Sequence, residues 1–396
     1  MIEFNEKYRL LQRTIISGQK VKILIIGLGS VGNYLLDYLV SQADEQLEII
    51  VAGRNVEKMQ MDVNIVRTAA TIRGQLRSNI YIAQCDLNDV DSIAIALRKY
   101  EPHIIVNSSR VYAGLKYGSI SWSNLRAYGI WAPLAIKYAR NIMLAYEKAD
   151  SKAITINTSY SDAVIPWLKS AGLCYFDFGS GNLNHLIPRM KFYLAEKYDI
   201  ENLNEIDMTI AMSHFHDVVI SKEGQSEGQN LLIDARYHGE QLAFEQDELL
   251  AACSISMPTD QKRNMMNASS NFAIIEALIT SLREQKVCKV HSPGVQGNIG
   301  GYPFILDGQK MMGCIDESIF SMDDMGHANM DSIYKDGIEN VTDGCLVYTD
   351  ELLTKVRNCF GVELPKRIAF VDVDAVVEKL INEIINPSIC KEVYRK

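Results

Sequence analysis

The stretch "ILIIGLGSVGNYLLDYL", Ile23–Leu39, joins an apolar run to three glycines spaced G-x-G-x-x-G and then to an amphipathic pattern. The apolar run predicts a fully buried strand over Val21–Gly27, and the spacing of apolar residues that follows predicts a helix over Asn33–Val40. A strand, a glycine-rich turn and a helix in this order form the context in which the motif binds a dinucleotide. We therefore expect a nucleotide-binding βα unit here rather than a tight turn without a ligand.

The glycines of this loop have separate expected tasks. Gly27 permits the tight turn, Gly29 lets the backbone approach a pyrophosphate, and Gly32 lets the helix pack closely on the strand. The N-terminus of the helix offers free N–H groups and a partial positive charge to phosphates. The residues predicted to contact the cofactor are Gly27, Leu28, Gly29, Ser30, Val31 and Gly32.

The end of the next strand bears on the choice of cofactor. The segment "LEIIVAGRN", Leu47–Asn55, ends without the carboxylate that binds the ribose 2′-hydroxyl of NAD. Arg54 can instead pair with a 2′-phosphate through a charge-assisted contact, and the alternative is a solvated loop arginine. We therefore expect NADP(H) to be preferred over NAD(H).

Strands and helices continue to alternate, with strands predicted at "IYIAQCDLND" (80–89) and "HIIVNSS" (103–109). This alternation predicts right-handed βαβ units and a parallel sheet. Ligands bind at the carboxyl ends of such strands, so we expect the adenine over the first strand end and the nicotinamide beyond the second. The residues expected there are Asp86, Leu87, Asn107, Ser108 and Ser109. The "GRN…CDLND…VNSS" sequence is similar to saccharopine-dehydrogenase-like and extended short-chain NADP-binding domains.

Composition excludes several classes of protein. The chain has 396 residues, 47% hydrophobic and 22% charged, and a net charge of -9, which argues against binding to nucleic acid or acidic membranes. It contains no transmembrane-length apolar run, and its N-terminus is charged and lacks the apolar core of a secretory signal. Its eight cysteines form no C-x-x-C pair and are expected to be reduced thiols. We expect a cytoplasmic protein.

The predicted fold class is α/β, with a Rossmann parallel sheet and a C-terminal α+β substrate and dimerisation domain. We expect an N-terminal extension over 1–19, the NAD(P)-binding Rossmann domain over 20–162 and the second domain over 163–396.

Several segments resemble the lactate/malate dehydrogenase superfamily in their order and spacing over most of residues 20–365. They are "ARN" (139–141), "NTSYSD" (157–162), "GSGNLNHLIPRMKFYLAEK" (179–197), "AMSHFHD" (211–217), the helical "NASSNFAIIEALITSL" (267–282) and the hairpin-like "HSPGVQGNIGGYPFILDGQKMMG" (291–313). The resemblance implies NAD(P)-dependent oxidoreduction at a carbonyl, hydroxyl or imine carbon beside a carboxylate, in a homodimer or homotetramer.

Matching residue to residue, the resemblance implies four catalytic roles. Arg189 would bind the substrate carboxylate, for which a guanidinium fork is well suited. His214, expected on a strand, would be the general acid/base, since an imidazole titrates near working pH. Asn157 would contact the nicotinamide ribose or the carbonyl, and Arg126 would close over the substrate, with Arg110 as the alternative. The competing interpretation is a surface arginine at 189 and a structural histidine at 214.

One position departs from the family pattern. The carboxylate that orients the histidine is expected three residues before the arginine, where this chain has Leu186. Asn182, Asn184 or Asp217 are the candidate substitutes. A histidine without a carboxylate partner holds its proton less strongly, so activity is expected to fall at lower pH than in the family.

Two other functions remain open at this point. Cys174 in "GLC" and His214 are placed like the metal-binding pair of NAD-dependent family-4 glycosidases, and a thiolate with an imidazole suits a soft metal. A non-catalytic NADP(H)-binding redox sensor is the other alternative.

Overall fold

The structure is a computed structural model that describes residues 3–112, 114–181 and 183–393. The strands are β1 (Val21–Ile26), β2 (Leu47–Gly53), β3 (Asn79–Gln84), β4 (Ile104–Asn107), β5 (Ile154–Asn157), β6 (Phe178–Gly179), β7 (Ile206–Ala211), β8 (Leu232–Tyr237), β9 (Glu240–Gln241), β10 (Val287–Pro293), β11 (Gly301–Asp307), β12 (Met312–Ile315), β13 (Ile338–Thr342), β14 (Cys345–Tyr348) and β15 (Arg367–Ala369). The α-helices are α1 (Phe4–Ile16), α2 (Ser30–Ser41), α3 (Val56–Ile72), α4 (Val90–Tyr100), α5 (Gly114–Asn124), α6 (Ala132–Lys148), α7 (Ser161–Ser170), α8 (Leu183–Tyr198), α9 (His214–Glu223), α10 (Gln246–Ala252), α11 (Asn264–Glu284), α12 (Met322–Lys335), α13 (Asp350–Phe360), α14 (Val373–Lys379) and α15 (Asn386–Val393).

The six strands β1–β6 form one parallel sheet in the order β3-β2-β1-β4-β5-β6. This is the strand order of the doubly wound dinucleotide-binding fold, so the predicted Rossmann sheet is confirmed. The central strands are buried because helices cover both faces, which is why they consist of near-continuous apolar runs. Strand β6 follows residue 162, so the sheet extends past the end of the predicted first domain.

Residues from both halves of the chain cover this sheet. On one face, Leu24 and Ile105 share a core with α4, α6, α7 and apolar residues between 333 and 385. On the other face, Ile23 and Ile25 share a core with α1, α2, α3 and α11. The second half of the chain therefore completes the packing of the first.

Helices α2 and α11 lie side by side and run in the same direction. Near their N-termini, Asn264 Nδ2 donates a hydrogen bond to Ser30 Oγ over 2.5 Å. Near their C-termini, Arg283 in the last turn of α11 pairs with Asp44, which follows α2, at 2.7 Å. The start of α11 is thereby held next to the glycine-rich loop.

The remaining strands form three small antiparallel sheets, β7-β8-β9, β10-β11-β12 and β13-β14-β15. The helix predicted over 267–282 is confirmed as part of α11, and the hairpin predicted within 291–313 is confirmed as β10 and β11. The strand predicted to carry His214 is wrong, because β7 ends at Ala211 and His214 is the first residue of α9. None of the described helices is long and apolar enough to cross a lipid bilayer.

Candidate functional site

A cleft of about 950 Å³ opens at the carboxyl ends of the parallel strands. Its walls come from the glycine-rich loop, the ends of β2 and β4, the starts of α7 and α9, helix α8 and the segment before α11. It is the position at which folds of this topology bind their ligands.

The glycine-rich loop has the shape that a diphosphate requires. Gly27 has a φ of 93°, and a Cβ there would lie 2.9 Å from Ser109 Cα. A Cβ at Gly32 would lie 2.3 Å from the Gly27 carbonyl oxygen, so this glycine lets α2 pack against the loop. A Cβ at Gly29 would meet no atom of the described residues within 4 Å, and this residue lines the cleft. The open space beside Gly29, in front of the N-terminus of α2, fits a diphosphate.

Two cations line the cleft where β2 ends. Arg54 follows the strand directly, and Lys58 lies in the first turn of α3. Asn55 caps this helix, since its Oδ1 accepts the Lys58 backbone N–H at 2.9 Å. The carboxylates among the described lining residues are Asp162 and Asp217, which lie near His214 rather than at this end. The end of β2 can therefore accept an anionic 2′-phosphate.

The loop after β3 contributes Leu87 to the cleft wall. The Leu87 carbonyl accepts a hydrogen bond from Asn141 Nδ2 at 2.8 Å, so the asparagine of the "ARN" segment holds this loop in place. Asp86 lies beside the lining rather than in it. The backbone N–H of Asn88 donates to its carboxylate at 3.0 Å and, with the nearby charge of Arg54, lowers the pKa of Asp86.

At the ends of β4 and β5, two asparagines lie behind the cleft wall. Asn107 Nδ2 donates to Asn157 Oδ1 at 2.9 Å, and both side chains are buried. Asn107 Oδ1 accepts from Ser109 Oγ at 2.6 Å, and Asn157 Nδ2 donates to Ser161 Oγ at 3.0 Å. Ser108, Ser109 and Ser161 line the cleft, whereas the two asparagines do not. The asparagines hold these serine-bearing turns in position.

His214 is fixed in the cleft by a buried carboxylate. Its Nδ1 lies 2.8 Å from Asp336 Oδ2, and the Asp336 side chain is 1% exposed. Asp336 also accepts hydrogen bonds from the Tyr160 hydroxyl at 2.8 Å and the Tyr128 backbone N–H at 2.6 Å. The His214 ring packs against the Tyr128 ring at a centroid distance of 4.6 Å and against the Tyr160 ring at 5.1 Å. Nε2 is the ring nitrogen left for a ligand.

Burial and nearby charges set the protonation of this region. Burial by itself lowers the pKa of His214, but the charge and hydrogen bond of Asp336, with the charge of Asp162, raise it above its ordinary value of 6.5. Burial raises the pKa of Asp162 to about 6 and that of Asp217 to about 8. These shifts favour the charged form of His214 and the neutral form of Asp217.

Arg189 and Asp217 lie in the same cleft wall. Arg189, on α8, is 2% exposed, and one of its terminal nitrogens donates to the carbonyls of Cys253 at 2.8 Å and Ser221 at 3.3 Å. Asp217 lies one turn after His214 on α9. Arg189 Nε and Asp217 Oδ1 are buried without a hydrogen-bond partner among the described residues. Arg189 is thus a buried cleft residue and not a surface arginine.

The two loop arginines lie in different places. Arg126 pairs with Glu223 at 2.7 Å and with Glu227 at 2.5 Å, and its side chain is 39% exposed and lies outside the cleft lining. Arg110 lines the cleft. Of the two candidates for a closing arginine, Arg110 is the one that the fold places at the ligand site.

Two of the expected substitutes for the missing carboxylate, Asn184 and Asp217, are not the partner of His214 Nδ1, which is Asp336. Leu186 is fully buried in an apolar core, and Asn184 donates to Ser270 Oγ and to the His291 carbonyl. Asn182 lies outside the described residues. Because Asp336 supplies the carboxylate, the premise that His214 holds its proton weakly is wrong.

Sequence reasoning missed several cleft residues, namely Lys58, Tyr128, Tyr160, His185 and Arg263, as well as Asp336 behind the wall. Lys58 was the most accessible to sequence reasoning, since it lies one turn past Arg54 at the start of a predictable helix. Asp336 precedes Gly337, a pair that signals a turn and carries no catalytic signature.

The metal-binding pair considered above is not brought together. Cys174 is buried and does not line the cleft. Its electrostatic neighbours are Glu147, Lys7 and Asp177. Asp177 precedes β6 and hydrogen-bonds Thr155 of β5, so Cys174 lies toward the amino ends of the strands, whereas His214 faces the cleft at their carboxyl ends.

Comparisons with known proteins agree with this architecture. Residues 23–116 match the family model of the saccharopine dehydrogenase NADP binding domain. The malate dehydrogenase of Aeropyrum pernix is 14% identical, with a TM-score of 0.51 over 79% of this chain and 97% of that one. The malate dehydrogenase of Plasmodium falciparum in complex with NADH is also 14% identical, with a TM-score of 0.48 over 80% and 97%. No curated protein sequence matches the chain. At this identity the structural likeness concerns the fold.

Proposed function

We propose that this chain is an NADP(H)-dependent oxidoreductase that acts on a carbonyl, hydroxyl or imine carbon next to a carboxylate. The observation that carries the proposal is the His214–Asp336 pair, which presents an imidazole to the cleft onto which the glycine-rich loop opens. Arg189 adds a buried cation to the same cleft.

In this proposal the chain's own residues hold the phosphate groups of the cofactor. The loop at Gly29 and the N-terminus of α2 would hold the diphosphate, while Arg54 and Lys58 would hold a 2′-phosphate. When bound, the nicotinamide supplies or accepts a hydride. The family model matched by residues 23–116 is described as NADP-binding, which supports this choice of cofactor.

The proton is handled by His214. Because Asp336 accepts the hydrogen bond of Nδ1–H, the tautomer and the ring orientation are fixed, and Nε2 carries the exchangeable proton. In the reducing direction, Nε2–H donates its proton to the carbonyl oxygen, and in the oxidising direction Nε2 removes the hydroxyl proton. Tyr160 and Tyr128 hold Asp336 in place through its two carboxylate oxygens.

Arg189 orients the substrate in this proposal. A buried guanidinium that lines the cleft and has an unpartnered Nε–H favours a carboxylate ligand over a neutral group. The glycosidase alternative instead needs Cys174 beside His214, and these two residues are not brought together. The carboxylate-paired histidine favours turnover over a role as a redox sensor.

A substrate panel tests the proposal. Purified protein is mixed with NADPH and a series of 2-oxo acids, with and without ammonium, and the loss of NADPH absorbance is followed. We expect turnover of at least one 2-oxo acid and none of the matched ketone that lacks the carboxylate. NADPH binding without turnover of any member would contradict the proposal and favour the sensor.

A further inference from the structure

Asp217 and Arg189 line the same part of the cleft but form no ion pair. Both are nearly buried, at 3% and 2% exposure, and Asp217 Oδ1 and Arg189 Nε have no hydrogen-bond partner in the described part of the chain. Leaving such atoms desolvated and unpaired is costly unless a ligand supplies the missing contacts. The two atoms mark a place in the wall where a polar ligand group is expected.

Charged groups on four segments of the chain act on Asp217. His214 precedes it on α9, Arg189 faces it from α8, Asp162 from the start of α7, and Arg263 from the segment before α11. The three cationic or protonatable groups favour the ionised carboxylate, whereas burial and Asp162 oppose it. Burial is the largest effect and raises the pKa of Asp217 to about 8. Near pH 7 a protonated Asp217 does not neutralise Arg189 or repel an incoming anion.

We propose that Asp217 binds the substrate as a neutral carboxylic acid, donating its proton in a hydrogen bond to the same substrate carboxylate that Arg189 binds. This inference rests on the proposed function and adds a second residue to its carboxylate site. A carboxylate can accept from both Arg189 Nε–H and the Asp217 O–H, whereas an ammonium group needs an ionised acceptor. A neutral Asp217 is therefore matched to the substrate carboxylate and offers no acceptor to an ammonium group.

Oxalate is a suitable probe, because it is a small planar mimic of a 2-oxo acid and cannot accept hydride. Its dissociation constant for the NADPH complex is measured by calorimetry with wild type, Asp217→Ala and Asp217→Asn. Asp234→Asn is the matched control, since Asp234 is also buried but lies outside the cleft lining. NADPH affinity and thermal melting show that each variant is folded.

We expect Asp217→Ala to weaken oxalate binding by about 10- to 100-fold, while Asp217→Asn, which keeps an N–H donor, loses much less. As the pH rises through about 8, wild type should lose affinity in a step that Asp217→Asn lacks; any step that both proteins share belongs to His214. Alanine carries the same carboxylate, so it too should lose less affinity in Asp217→Asn than in Asp217→Ala.

Equal oxalate affinity in wild type and Asp217→Ala would overturn the inference and leave the proposed function intact. Alanine binding that is tighter than oxalate binding and is abolished in Asp217→Asn would show an ionised Asp217 and would overturn it as well. If oxalate fails to bind wild type, the carboxylate site of the proposed function fails with it.

Discussion

The His214 imidazole and the Asp336 carboxylate lie 122 positions apart in the chain and 2.8 Å apart in the structure. Their contact joins the start of α9 to the residue that follows α12. A carboxylate in this position fixes the tautomer of the imidazole and stabilises its protonated form.

Replacing Asp336 by asparagine should distinguish its effect on the orientation of the His214 ring from the effect of its negative charge. The charge and hydrogen bond of Asp336 raise the pKa of His214, so Asp336→Asn lowers that pKa. Reduction requires protonated His214, and its activity should therefore disappear at a lower pH than in wild type, with kcat reduced by about 100-fold or more. The kcat–pH profile with NADPH measures both effects. Asp374→Asn, at the surface pair with Arg140, is the control, and an unshifted profile for Asp336→Asn would remove this role.

Gly29→Val should abolish dinucleotide binding while the protein stays folded. The backbone at Gly29 has a φ of -86°, which other residues adopt, and the new side chain would occupy the space expected for the diphosphate. Gly326→Val is the matched control, since a Cβ there also meets none of the described atoms within 4 Å. Calorimetry with NADPH checks the outcome, and unchanged affinity would place the cofactor elsewhere.

NADPH should bind about tenfold or more tightly than NADH, because a charge-assisted contact to a 2′-phosphate contributes about 1.4 kcal/mol or more. Arg54→Met should remove most of this preference, and Lys58→Met part of it. Arg67→Met changes an exposed arginine of α3 outside the cleft lining and serves as the control. The dissociation constants of NADPH and NADH for wild type and each variant test this preference. Equal values for the two nucleotides in wild type would exclude a 2′-phosphate site at Arg54.

Replacing Arg189 and replacing His214 should change different kinetic constants. Arg189→Leu should mainly raise KM, since leaving a desolvated substrate carboxylate unpaired costs about 3–5 kcal/mol. His214→Ala should mainly lower kcat, by about 10²- to 10⁴-fold, with NADPH binding retained. Because Arg189 also donates to two backbone carbonyls, Arg189→Lys and a thermal melt guard against misfolding. A kcat for His214→Ala equal to that of wild type would contradict the assignment of His214 as the general acid/base.

Asp217→Asn should stabilise the fold while it changes the substrate site. The pKa of Asp217 rises from its ordinary value of 3.8 to about 8 on folding. A folded state that binds the proton more tightly than the unfolded state loses stability as pH rises between these two values. Asparagine removes that loss, so the variant should gain on the order of 4–5 kcal/mol at pH 7.5 and almost nothing near pH 3.5. Chemical denaturation at both pH values measures the difference, and a variant less stable at pH 7.5 would contradict it.

The strand, turn and helix around the glycine-rich loop are predictable because their determinants are local. Gly27, Gly29 and Gly32 act within one turn, and Arg54 follows directly from the end of β2. The parallel sheet then follows from the alternation of strands and helices and from the right-handedness of βαβ crossovers. His214 was misplaced because the apolar pattern of β7 continues through Met212, whereas α9 starts at His214 with Ser213 as its N-cap residue.

Asp336 lay beyond the reach of sequence reasoning for a different reason. Its pairing with His214 depends on how α12 and β13 pack against α9, α7 and β14, which one sequence does not encode in any short motif. The family resemblance pointed to the position of Leu186, which this chain uses for an apolar core instead. The carboxylate beside His214 thus comes from a different part of the chain than the resemblance implies.

The shared packing of the parallel sheet has an evolutionary consequence. A gene fragment ending at residue 162 would keep the nucleotide-binding motif but lose β6, helix α11 and the apolar residues between 333 and 385 that cover the two sheet faces. Bare apolar faces of that kind drive aggregation. A fragment ending at residue 162 is therefore expected to aggregate rather than fold alone, which disfavours its transfer to another gene without the rest of the chain.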